Sequence, residues 1–247
     1  SSPEGAGNQG PNTVNSQGGT EQGTLAGRQA VIVTIVPGKS PKRITPDHTA
    51  EVGRALAERN LDGADFTMTR SNGLSLKSWR PLLARAQDRA DEVAPGLAKE
   101  LSGELDDLED GWPDTGPGGP SGDLPGGVIH ADLFPDNVFF CDGRLVGLID
   151  FYFACTDMFA YDLGICLNAW CFEADLSFII TKPMRLLTPY RKVRDFSDDE
   201  LTALPFLARV SSIRFLLSRL FDWLYSPAPA LVSRICPPDF LPRLCVF

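Results

Sequence analysis

What the 247-residue chain lacks narrows its identity first. No stretch approaches the roughly 18 uninterrupted apolar residues of a membrane-spanning helix. The start has neither a basic segment nor an apolar run behind it, so no secretory leader is legible. Basic residues are in deficit: 23 Lys and Arg stand against 32 Asp and Glu, for a net charge of −9. That argues against a binder of the nucleic-acid backbone, which needs a basic stripe, and favours a small molecule or a protein as partner. The six cysteines, at 141, 155, 166, 171, 236 and 245, form no C-x-x-C pair and no metal-ligand spacing. They read as reduced thiols of a cytoplasmic protein. There is no internal repeat, and nothing in the sequence fixes an oligomeric state.

What is present suffices for a sizeable core, with 43% hydrophobic residues arranged as one large domain or two small ones. Residues 1–23 are rich in Gly, Ser, Asn and Gln and are expected to be a disordered tail. The chain begins with Ser1 rather than Met, which reads as a processed product or a fragment. A turn at Ala26-Gly27-Arg28 leads into a strand over Ala30–Val36, closed by Pro37-Gly38. Thr45 before Pro46 predicts a helix start and a helix near 46–59. Further helices are expected over Ser78–Val93, Gly96–Asp110, Tyr161–Phe172, Met184–Val193 and Leu201–Tyr225, with a Pro/Gly-rich loop at 111–127. Val138–Cys141 and Leu145–Ile149 flank Asp142-Gly143, a strong hairpin signal.

The chemistry gathers in "VIHADLFPDNVFF" (128–140) and the end of that hairpin, giving His130-x-Asp132-x-x-x-x-Asn137 and then Asp150. Any one of these residues alone is as readily a core histidine, a loop cap or a strand end. Together their spacing is what phosphoryl transfer on a kinase-like fold requires, because that reaction needs positioning and charge neutralisation more than covalent help. Asp132 would accept a hydroxyl proton, while Asn137 and Asp150 would offer hard oxygens to Mg²⁺. "DFY" (150–152) stands where a protein kinase has Asp-Phe-Gly.

These residues, with "GLIDFYFACTDMFAYDLGICLNAWCFE" (147–173) and "RFLLSRLFDWLY" (214–225), resemble the homoserine kinases related to aminoglycoside phosphotransferases, from about Thr24 to the C-terminus. The resemblance implies an α+β, protein-kinase-like fold of the aminoglycoside-phosphotransferase type. It divides the chain into the tail (1–23), a last amino-lobe strand and hinge (24–38) and a helical carboxy-terminal lobe carrying the catalytic hairpin (39–247). It further implies ATP and Mg²⁺ as cofactors, L-homoserine as acceptor, Asp132 as base, Asn137 and Asp150 as metal ligands, and His130 and Asp162 as braces of the loop. Asp162 is otherwise an ordinary charge at a helix N-terminus. Ile35 and Val36 would meet adenine, or else simply end a strand. Arg214 or Arg219 would take the acceptor carboxylate, or else belong to a solvated helix face. Two other readings stay open: a kinase of the same superfamily with another acceptor, and a remnant that binds without turnover. No G-x-G-x-x-G turn precedes Thr24, no lysine precedes Lys39, and Asn60 stands where the family suggests histidine. The expected consequence is a weak grip on triphosphate by this chain alone.

Overall fold

The computed structural model describes residues 21–25, 28–32, 35–111, 124–225 and 237–247. It divides into two units, Ser1–Pro37 and Gly38–Phe247. In the first, β1 (Glu21–Leu25) pairs antiparallel with β2 (Arg28–Ile32), from Leu25 opposite Arg28 to Glu21 opposite Ile32. The expected strand Ala30–Val36 is therefore corrected: its ladder ends at Ile32, residues 33–34 lie outside the described residues, and Ile35–Pro37 form no regular element. Glu21–Gly23, assigned to the tail, belong to β1, and Arg28, assigned to the turn, opens β2. "EQGTL" has no apolar alternation to announce a strand; it is defined by the backbone pairing it makes. The rest of the tail and the Ala26-Gly27 turn lie outside the described residues.

The second unit begins by docking its own first residues on the hairpin that follows residues 128–137. Lys39 exchanges two backbone hydrogen bonds of 3.0 Å with Phe140. Gly38, at φ +101°, lies so close that a Cβ would stand 2.4 Å from the Phe140 carbonyl oxygen. Helix α1 (Pro46–Asp62) starts as expected: Thr45 caps it, accepting from the His48 amide, while His48 Nδ1 accepts the Thr45 amide and Pro46 fills the first position. Then come α2 (Leu76–Ala90), α3 (Leu97–Asp110), β3 (Gly126–Ile129), β4 (Val138–Cys141), β5 (Arg144–Leu148), β6 (Cys155–Met158), α4 (Phe159–Trp170), α5 (Thr181–Val193), α6 (Asp198–Tyr225) and α7 (Leu241–Leu244). The hairpin β4–β5 turns through Asp142 and Gly143 at φ 49° and 75°, the paired left-handed residues of a tight two-residue turn.

β3 pairs antiparallel with β6, from Gly126 opposite Met158 to Ile129 opposite Cys155. This ladder corrects the loop expected over 111–127, whose last two residues are strand; 112–123 lie outside the described residues. All twelve residues of α4 are buried, packed chiefly on α6. Gly164 lets the two helices close, since a Cβ there would lie 3.0 Å from the Ala208 amide. Gly53 does the same between α1 and α5, where a Cβ would fall 2.0 Å from the Leu186 carbonyl oxygen. Among the described residues α6 is long and apolar enough by composition to cross a membrane, yet 67% of its most apolar window is buried within the protein. It is the core helix against which α2, α4 and the C-terminal turns pack.

Candidate active site

The loop between β3 and the hairpin carries the motif, and its backbone is fixed from several directions. Asp162, fully buried in the first turn of α4, accepts the amides of His130 and Ala131, each at 2.9 Å. Two bonds to adjacent amides hold Ala131 at φ 61°, a left-handed conformation uncommon for alanine. Burial pushes the Asp162 carboxyl upward, opposed by His130, the two amides and Asn60. Arg214, from the middle of α6, donates to the Ala131 carbonyl, and Trp170 Nε1 donates to the Leu133 carbonyl at 2.8 Å. Asn137, at the end of the turn Pro135–Asn137, donates from Nδ2 to the Asp132 carbonyl (2.8 Å) and carboxylate (3.3 Å).

His130 joins the loop to the far end of the hairpin. Its Nε2 lies 3.0 Å from the Ile149 carbonyl oxygen and its Nδ1 accepts the Asp132 amide at 3.3 Å. One tautomer, protonated on Nε2, satisfies both. The ring also lies 4.7 Å from that of Phe151. The Ile149 amide donates to the Asn137 carbonyl at 3.0 Å, so the residue before Asp150 is bonded to Asn137 directly and to His130. Asp150 is exposed, at φ 62° and ψ 56°, and its side chain makes no capping bond to the following turn, Phe151–Phe153. Backbone strain coincides there with a carboxylate that makes no hydrogen bond among the described residues.

Asp132 is the electrostatic centre. Desolvation raises its pKa to about 6; Arg214, His130 and Arg219 pull the other way, and Asp136 adds a little to the rise. Arg219 is mostly buried, its pKa lowered by desolvation, with Nε unpaired among the described residues and its guanidinium 5.8 Å from the Phe134 ring. The solvated-face reading fails for Arg214, which is 3% exposed and lies 4.1 Å from the Phe215 ring. Ile35 and Val36 belong to the first unit.

Sequence reasoning missed a buried polar chain behind Asp162. Tyr190 donates to Asn60 Oδ1 at 2.8 Å, Arg194 donates to the Tyr190 hydroxyl at 3.2 Å, and Arg194 pairs with buried Glu200 at 2.8 Å. Of these only Asn60 stands out in the sequence, as a departure from the family pattern. It missed Arg70 and Asn72 as well: with Tyr152, Phe153 and Arg214 they line a cavity of about 190 Å³. Among the described residues no cluster of three His, Cys, Asp or Glu could hold a metal unaided. The donor set Asn137 Oδ1 and Asp150 suits a hard cation that keeps water and phosphate as its other ligands.

The chain matches the family model described as "Phosphotransferase enzyme family" over residues 7–196. It is 52% identical over 234 residues to the homoserine kinase of Mesorhizobium japonicum, covering 95% of this chain and 71% of that one. It is equally close, at 52%, to that of Rhodospirillum rubrum, covering 95% and 70%. Among solved structures, a choline kinase from Cryptosporidium parvum superposes with a TM-score of 0.62 at 12% identity, covering 92% of this chain and 71% of that one. An aminoglycoside-3'-phosphotransferase of type VIII gives 0.53 at 23%, covering 79% and 72%. These structural likenesses show the kinase-like fold.

Proposed function

Since the chain belongs to the homoserine kinases of the phosphotransferase enzyme family, we propose that it transfers the γ-phosphate of ATP to the side-chain hydroxyl of L-homoserine, a cytoplasmic step of threonine biosynthesis. One observation carries the chemical reading: Asp132 is a largely buried carboxylate whose pKa is lifted to about 6, on a loop whose backbone is pinned on both sides of it. Such a group is more basic than a free aspartate yet still about nine-tenths ionised at neutral pH, which suits removal of a hydroxyl proton as the phosphoryl group arrives. Asn137 and His130 hold Asp132 in place, and Arg214 and Arg219 steady its negative charge. Asn137 Oδ1 and the Asp150 carboxylate would hold Mg²⁺, which when bound neutralises the phosphate oxygens of ATP. Ile35 and Val36 are assigned to the adenine ring on the family pattern alone.

The reading is tested by offering L-homoserine, L-serine, choline, methylthioribose and kanamycin with Mg-ATP and following phosphorylated product. Homoserine should be the preferred acceptor. Serine is one methylene short, so a site that places the longer hydroxyl at Asp132 leaves serine away from the base. Phosphorylation of choline or kanamycin in preference to homoserine would overturn the acceptor.

The metal assignment has its own test. Asp150→Ala should lower magnesium-dependent ATP affinity about tenfold or more, and Asn137→Ala by less, because the former removes a charged oxygen and the latter a neutral one. Unchanged Mg-ATP affinity of the Asp150 variant by titration calorimetry would remove it from the metal.

A further inference from the structure

The cavity lined by Arg70 and Arg214 has an unusual charge for so acidic a protein. Of the residues lining the space between the segment after α1 and the turn after β5, two are arginines, Arg70 and Arg214, and none is a carboxylate. The nearby acid is engaged elsewhere: Asp157 is mostly buried and accepts from Asn72 Nδ2 and its neighbour's amide, Met158, both at 2.8 Å. Each arginine is tethered through one nitrogen to the backbone. Arg70 Nη1 donates to the carbonyls of Tyr152 (2.7 Å) and Ala154 (3.3 Å), and Arg214 Nη1 donates to that of Ala131. The segment that presents Arg70 is itself fixed to β6, since the Arg70 amide bonds Thr156 Oγ1 at 3.1 Å and its carbonyl accepts the Thr156 amide at 2.7 Å. Anchoring by Nη1 leaves Nη2 and Nε of both guanidiniums without a partner among the described hydrogen bonds.

The two anchors differ in what they adjoin. Arg214 is bound to the residue before Asp132 and acts on the charge of that carboxylate, so it stands at the hydroxyl end of any acceptor. Arg70 is held instead by Tyr152, Ala154 and Thr156, and none of these bonds reaches the Asp132 loop. A rigid guanidinium with an open edge matches a planar carboxylate in a two-pronged contact that a point charge cannot make. We propose that Arg70 is the specificity-determining residue that reads the carboxylate of the acceptor, and that the cavity selects hydroxy acids over cationic alcohols. This rests on the kinase reading above and sharpens it: the carboxylate goes to Arg70 in place of Arg214 or Arg219, and the hydroxyl to Asp132.

The test compares kcat/KM for L-homoserine with that for its carboxylate-free analogue, 2-amino-1,4-butanediol, in the parent protein and in Arg70→Gln and Arg70→Lys. Arg70→Gln should lose roughly ten- to a hundredfold with homoserine, mostly in KM, and stay within about threefold of the parent with the diol. Arg70→Lys, which keeps charge but not the fork, should fall between. Equal losses on both acceptors would make Arg70 a structural residue and overturn the proposal, as would no loss on either while homoserine remained the better substrate. If the parent already prefers the diol, the acceptor reading itself fails and takes the carboxylate assignment with it.

Discussion

Replacing Asp132 by asparagine should lower turnover by about a thousandfold or more while leaving Mg-ATP affinity within about twofold of the parent. The amide keeps the shape and the bond from Asn137 but cannot take a proton, so the loss falls on kcat. Retention of turnover within tenfold would remove Asp132 from the role of base. The parent should also show a falling acid limb in its rate, centred near pH 6, because protonation at that pKa silences the same group. Stability should move in the opposite direction. The folded protein binds the Asp132 proton more tightly than the unfolded chain does, so this group favours folding below the ordinary aspartate range and that support is lost as pH rises through about 6. At neutral pH the buried charge is a burden that Asp132→Asn relieves, by on the order of 2 kcal/mol after allowing for partial solvent contact. The gain in melting temperature should be largest near pH 7 to 8 and vanish near pH 4.

Asp162→Ala should be the most damaging single change to the loop itself. It strands the amides of His130 and Ala131, both buried, and each unmet donor costs about 1–3 kcal/mol. Part of that is recovered because a desolvated carboxylate is removed, so a net loss of about 3 kcal/mol is expected in urea denaturation. Without those bonds Ala131 is free to leave its left-handed conformation, and Asp132 turns with it. Turnover should fall by about two orders of magnitude or more, with Asp162→Asn intermediate because one amide oxygen still accepts. A variant that keeps turnover within tenfold and stability within about 1 kcal/mol would show that the loop holds its shape by other means.

How much of this was legible in the sequence depends on the range over which each feature is defined. The hairpin at Asp142-Gly143 and the Thr45 cap are decided by neighbours a few residues apart, and the structure forms both. The spacing of His130, Asp132 and Asn137 is likewise local, and the Asn137 amide closes on Asp132 just five residues back. Helix α4 was readable from its apolar run, although it starts at Phe159, two residues earlier than expected. The pairing of β3 with β6 was not readable. "CTDM" is too short to show alternation, and Gly126-Gly127 looks like more of the loop before it. Arg70 and Tyr190 gave no signal because their partners lie 82 and 130 residues away, and each acquires meaning only when the fold brings those segments together.

Asp150 shows how a backbone can ration the amino-acid alphabet. Its left-handed conformation is comfortable for glycine and tolerable for asparagine and aspartate, while most other side chains are strained there. The proposed role asks for an oxygen ligand, which strikes out glycine. Two letters remain, and of these aspartate alone brings a full negative charge. A position squeezed in this way has almost no neutral neighbours in sequence space: a drifting lineage can reach another residue here only by giving up the turn or the ligand.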